Sequence, residues 1–88
     1  MKISVELSLY PLANEFLPII QDIVERLNRS ATIDCYTNTM STQLFGEFDD
    51  VMRVVKEIIG YSFSTYGKQV FVAKYLNSDV NPENISDQ

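Results

Sequence analysis

The sequence predicts an α+β fold with elements in the order βαββαβ. Three observations carry that prediction. Residues 3–10 alternate apolar and polar with period two, the mark of a strand with one buried face. Two stretches, near residues 16–27 and 51–63, place apolar residues at helical spacing. Shorter strand-like runs at 31–38, 42–45 and 69–76 fall after the first helix and after the second.

Each element has its own grounds. In the first strand Ile3, Val5, Leu7 and Leu9 point one way and Ser4, Glu6, Ser8 and Tyr10 the other, and Pro11 ends it. Asn14 is the expected N-cap of the first helix, whose stripe is Phe16, Ile19, Ile20, Ile23, Val24 and Leu27. Pro18 falls in the first turn, where a missing N–H costs least, and the helix is expected to stop at Asn28–Ser30. Residues 31–38 then form a strand, with Thr32, Asp34, Tyr36 and Asn38 on one face and Ile33 and Cys35 on the other. A turn at Thr39–Ser41 leads to a short strand, Thr42–Phe45, which ends at Gly46. Asp49 and Asp50 sit where a helix N-terminus favours negative charge. Val51, Val54, Val55, Ile58, Ile59 and Phe63 make that helix's stripe, interrupted by Gly60, and Gly67 marks a stop. The last strand, residues 69–76, is apolar on both faces. This is the ferredoxin-like sandwich: a four-stranded antiparallel sheet with both helices on one face. Its other face is expected to be open, carrying Ser4, Glu6, Ser8 and Tyr10.

The chain has 88 residues, enough for one domain and one modest core. That domain is expected to span residues 1–76, followed by a flexible polar, acidic tail at 77–88. The net charge is −5; the tail holds Asp79, Glu83 and Asp87 and no base. The body then carries nine acids against seven bases, no footprint for nucleic acid. Cys35 is the only cysteine and there is no histidine, which excludes an intramolecular disulfide, Cys/His zinc sites within one chain and histidine acid–base catalysis. No apolar run reaches membrane-spanning length and the N-terminus has no apolar signal region, so the expected location is the cytoplasm, without membrane insertion.

The run Asn38–Glu47 gathers hydroxyls, an amide, a thioether, a glycine and a carboxylate in ten positions. A plain structural hairpin does not need that chemistry; a pocket for a small polar or cationic molecule does. The polar stripe of the first strand could complete such a pocket.

Two segments here resemble a known family. Ile3–Leu12, ISVELSLYPL, is similar to the opening strand of the thiamine/hydroxymethylpyrimidine-binding YkoF-like family. Met40–Asp49, MSTQLFGEFD, resembles that family's second signature and the lead into its second helix. The resemblance covers roughly residues 3–76. It implies a non-enzymatic, thiamine-binding-protein-like member that binds thiamine or its hydroxymethylpyrimidine precursor and requires no cofactor. Family members with one repeat pair through their sheets, so it also implies a homodimer or homotetramer. Related single-repeat chains end the last strand in a basic segment with Arg, where this one has Lys74–Asp79.

Thiamine presents an aminopyrimidine edge, two flat faces and a cationic thiazolium, and each candidate residue is weighed against those needs. Ser8 and Tyr10 offer edge hydrogen bonds or a ring for stacking; the plainer reading is an exposed stripe. Asn38 and Thr39 suit a heterocycle, but equally suit turn chemistry. Met40 offers an adaptable wall or ordinary packing. Ser41 and Thr42 lie at the centre of the second signature. Glu47 could face the cation or the amino group, or only favour the next helix N-terminus. Gly46 serves the backbone, Glu6 suits a solvated or inter-subunit role, and Cys35 packs as a small apolar group. Two alternatives remain open: an oligomeric interaction or regulatory module without a small ligand, and a small enzyme using Tyr/Glu acid–base chemistry on the same frame.

Overall fold

The computed structural model describes residues 1–84. Its elements are β1 (Lys2–Pro11), α1 (Leu17–Asn28), β2 (Asp34–Thr37), β3 (Thr42–Glu47), α2 (Phe48–Thr65) and β4 (Gln69–Leu76). The four strands form one antiparallel sheet in the order β2-β3-β1-β4. This is the ferredoxin-like α+β sandwich, as the periodicities predict.

The alternation of β1 sets the layers. Ile3, Val5 and Leu7 are buried with Leu44 of β3 and with Ile23, Leu27, Val51, Val54, Val55 and Ile58 of the helices. Register puts Leu44 directly opposite Val5 and Cys35 opposite Leu44, so one face of three strands feeds one core. Gly46 lies on this face, opposite Ile3. A Cβ there would come within 3.1 Å of Ile33 Cγ2, so glycine lets the chain before β2 pack tightly on β3.

Several expected boundaries shift. α1 begins at Leu17 behind Phe16, not at an Asn14 cap, and no side chain caps it. Pro18 sets that start, since its fixed φ suits the first helical turn and its missing N–H is not needed there. β2 is shorter than residues 31–38, and β3 runs on to Glu47. α2 continues through Gly60 to Thr65, because buried Ser62 locks its last turns to β4 through two hydrogen bonds with Gln69.

The sheet's second face differs most from expectation. Residues 77–84, expected to be part of a flexible tail, lie against it as a strap; residues 85–88 fall outside the described part. Ser4 Oγ donates to Ser78 O (2.7 Å) and accepts from Val80 N–H (3.0 Å). Asn81, only 1% exposed, donates from Nδ2 to Asp34 Oδ2 at 2.8 Å. Ser4 and Phe45, neighbours on this face, are therefore each only 5% exposed. Polar composition suggested a free tail; the side-chain bonds of Asn81 and Ser4 are what hold it. The strap covers the β2–β3 side and leaves Tyr10, Val70, Val72 and Leu76 of β1 and β4 exposed.

Candidate ligand-binding site

The largest coherent concavity made by the sequence's polar run is a cavity of about 370 Å³ at the end of β1. Its size is at the lower end of the roughly 300–1,000 Å³ of small-molecule sites. It opens between three elements. β1 contributes Leu7 to Pro11, the β2–β3 hairpin contributes Thr37 to Thr42, and the α1 side contributes Phe16, Ile20, Ile23 and Val24. Phe71 of β4 closes the base.

A mismatch of strand lengths creates this space. β1–β3 pairing ends at Leu7 opposite Thr42, while β1–β4 pairing continues to Pro11 opposite Gln69. Beyond Leu7, β1 therefore has a neighbour on one side only. The hairpin that should continue the ladder turns away in a two-residue loop, Thr39-Met40, closed by Asn38 N–H donating to Ser41 O at 3.0 Å. Asn38 enforces that turn. Its Oδ1 accepts from Met40 N–H (2.8 Å) and Ser41 N–H (3.1 Å), the self-bonding that suits Asn to turns without glycine.

The expected site residues divide on these coordinates. Ser8, Tyr10, Asn38, Thr39, Met40, Ser41 and Thr42 all line the cavity. Glu47 does not. It lies at the far end of β3, where it flanks the start of α2 and its carboxylate is 3.1 Å from the Met1 amino group. β3 runs straight between the two ends, so residues close in the run's sequence are separated by the strand's length. The pocket also does not sit over the open sheet face, because Ser4 is under the strap.

Polar groups at the cavity are only partly spent. Thr42 is buried and exchanges a hydrogen bond with Thr37 Oγ1 at 3.0 Å. Ser41 Oγ donates to Glu6 Oε2 (2.9 Å) and accepts from Gln43 Nε2 (2.8 Å), while Lys74 Nζ lies 3.7 Å from Glu6 Oε1. Ser8, Tyr10 and Thr39 have no hydrogen-bonded side-chain partner among the described residues, and Met40 projects outward at the mouth. No charged residue lines the cavity.

Sequence reasoning missed the apolar wall of Phe16, Ile20 and Val24, read there as ordinary helix core, and Phe71 below it. The unequal lengths of the first and third strands were the available signal. An eight-residue strand beside a four-residue one must leave an edge free.

Elsewhere, chemistry is structural. Cys35 Sγ donates to Leu27 O at 3.1 Å, and burial, aided by Asp34, pushes its thiol up to about 11. It is therefore far from an activated thiolate. Asp22 accepts from Tyr61 and Tyr66 and pairs with Arg26 at 3.1 Å, tying α1 to the end of α2. Among the described residues no cluster of His, Cys, Asp or Glu could hold a metal ion, and no helix is long and apolar enough to cross a membrane.

Comparisons with known proteins agree with this arrangement. The sequence profile of the thiamine-binding protein family matches residues 5–75. No curated protein sequence matches. Among solved structures, a Streptococcus pneumoniae protein superposes with a TM-score of 0.81 at 23% identity, covering 91% of this chain and 90% of that one. A Thermotoga maritima protein, a candidate in thiamine biosynthesis or salvage, gives 0.76 at 20% identity, covering 98% and 90%. A Bacillus cereus domain of unknown function gives 0.75 at 18% identity, covering 91% and 79%. At these identities the structures establish the fold alone. The family match spans both candidate runs, the cavity they line and all six elements, and on it the chain belongs to the thiamine-binding protein family.

Proposed function

We propose that this protein is a non-catalytic binder of thiamine or its hydroxymethylpyrimidine portion, and that the ligand's pyrimidine occupies the cavity at the end of β1. The observation that carries the reading is the lining itself: apolar walls with a few hydroxyl and amide groups and no charged side chain. Such a surface suits a flat neutral heterocycle better than a cation. The pyrimidine ring would lie against Phe16, Ile20 and Val24. The thiazolium would remain at the mouth near Tyr10, half-exposed, whose ring face favours a cation.

The same lining argues for binding without turnover and without a cofactor. It contains no Asp, Glu, Lys, Arg or Cys, and its hydroxyls have no base beside them. The exposed apolar strip Tyr10, Val70, Val72 and Leu76 supports a homo-oligomer joined through the β1–β4 part of the sheet. Tyr10 belongs to both strip and cavity, so a subunit seam would run beside the ligand.

Titration calorimetry with thiamine, and separately with 4-amino-5-hydroxymethyl-2-methylpyrimidine, tests the reading. Heat with both, and retention of most affinity by the pyrimidine alone, is expected. Absence of heat and of any thermal shift at millimolar concentrations of both would overturn it.

A further inference from the structure

The inference concerns the main chain rather than the side chains, and it rests on the binding reading above. In an antiparallel pair, successive residues present their N–H and C=O groups to alternate sides. Two bonds fix which residues face which way along β1. Phe48 N–H donates to Met1 O at 2.8 Å, so the odd-numbered residues of β1 face β3. Leu12 N–H donates to Lys68 O at 3.0 Å, so the even-numbered residues face β4.

Leu9 is odd-numbered and lies beyond the end of β3. Its register partner would be Met40, but the Met40 N–H is bonded to Asn38 Oδ1 and the hairpin has curled away. No backbone bond joins Leu9 to the hairpin among the described residues. The next group on this edge is Pro11, which has no N–H. The free edge thus offers one donor, Leu9 N–H, beside acceptors at Leu9 C=O and Pro11 C=O. Leu9 is half-buried and borders the cavity, so this peptide edge faces a space walled by apolar side chains.

We infer that the Leu9 peptide reads the edge of the ligand, as a missing strand would, and that it selects heterocycles bearing a ring nitrogen next to an amino group. The ring nitrogen accepts from Leu9 N–H, and the amino group donates to Leu9 C=O. Both groups of one extended residue point the same way, so a planar N=C–NH2 edge can meet them together. Hydrogen bonds in a cavity that excludes water discriminate strongly, because the unmatched analogue leaves a desolvated group without a partner. The Asn38 turn acquires a functional purpose on this account: it withdraws Met40 and keeps the peptide free.

The test replaces the Leu9 peptide N–H by an ester oxygen in the full 88-residue chain. The sole cysteine, Cys35, permits joining a synthetic residue 1–34 segment to residues 35–88. Calorimetry uses two probes, 4-amino-5-hydroxymethyl-2-methylpyrimidine and its analogue lacking the 4-amino group. The ester chain should fold with circular dichroism unchanged, since no ladder bond is lost. It should bind the aminopyrimidine on the order of tenfold or more weaker. The des-amino analogue should bind the native chain with a comparable loss. Equal affinity of ester and native chains for the aminopyrimidine overturns the inference and leaves the binding proposal standing; no binding by the native chain overturns both. Should the ester chain fail to fold, the 15N-labelled Leu9 amide of the native chain decides. A downfield shift with slowed exchange in the saturated complex supports the inference, and an unmoved Leu9 amide overturns it.

Discussion

Asn38 does two jobs that composition alone could not separate. Its carbonyl oxygen holds the hairpin through Met40 and Ser41, which is the turn chemistry its residue type favours, and its position borders the cavity. Asn38→Ala removes both bonds and should cost about 1 kcal/mol, a fall in Tm of roughly 4–8 °C by differential scanning calorimetry. The hairpin would also be freed to approach β1, so affinity for the pyrimidine should fall with stability. Cys35 makes a different prediction. Its folded thiol titrates near 11 against an ordinary 9.0. The resulting stabilisation is complete below pH 9 and is lost as pH rises through the folded value, because the unfolded chain ionises first. Alkylation by iodoacetamide at pH 8 should therefore be slow in the native protein and fast in denaturant. At this scale the sequence was legible where side chains carry the chemistry: Ser8, Tyr10 and the 38–42 hydroxyls and amide converge as expected. Glu47 and the Leu9 peptide were not legible. A carboxylate's distance along a strand and a backbone group's freedom depend on register, which no single residue type reveals.

Elements were read well where periodicity was strong and poorly where a boundary depended on tertiary contact. The alternation of β1 and the stripe of α2 decided the layers outright. The start of α1 was misread because Asn14 is a good cap in isolation, while Pro18 and the approach from β1 govern where the helix can begin. The joint between the helices was not foreseen either. Asp22 receives Tyr61 and Tyr66 hydroxyls, and Arg26 stacks 3.6 Å above the Tyr61 ring centroid. These bonds, that from Tyr61 foremost, hold the Asp22 carboxyl below its ordinary 3.8. A depressed carboxylate stabilises the fold above the unfolded value and loses that contribution as pH falls through the folded one. Asp22→Asn should therefore lower Tm at pH 7, and the gap to the native protein should narrow in acid below about pH 4. A gap that stays constant from pH 7 to pH 3 would mean the joint does not depend on the charge.

For the molecule as a whole, the sheet face is divided between two uses, one covered by the strap and one left apolar and open. If the open half joins copies, Val72→Glu should give a monomer by light scattering with the fold unchanged, since Val72 is exposed opposite Ser8 and supports no core contact. The sequence supported the open face but not its division, because residues 77–84 read as solvent-loving and their anchors, Ser4 and Asn81, are ordinary polar residues until the sheet is assembled. The strap also dictates an order of events in folding. The Ser4–Val80 bond spans 76 residues, nearly the whole chain, and its acceptor stands on a strand that must first pair on both sides. Loop closure on that scale is repaid only after β1 is in place. The strap is thus the last segment to dock and the first to leave. Native-state hydrogen exchange should find the Val80 amide opening at a small fraction of the free energy that guards Val5 and Leu44.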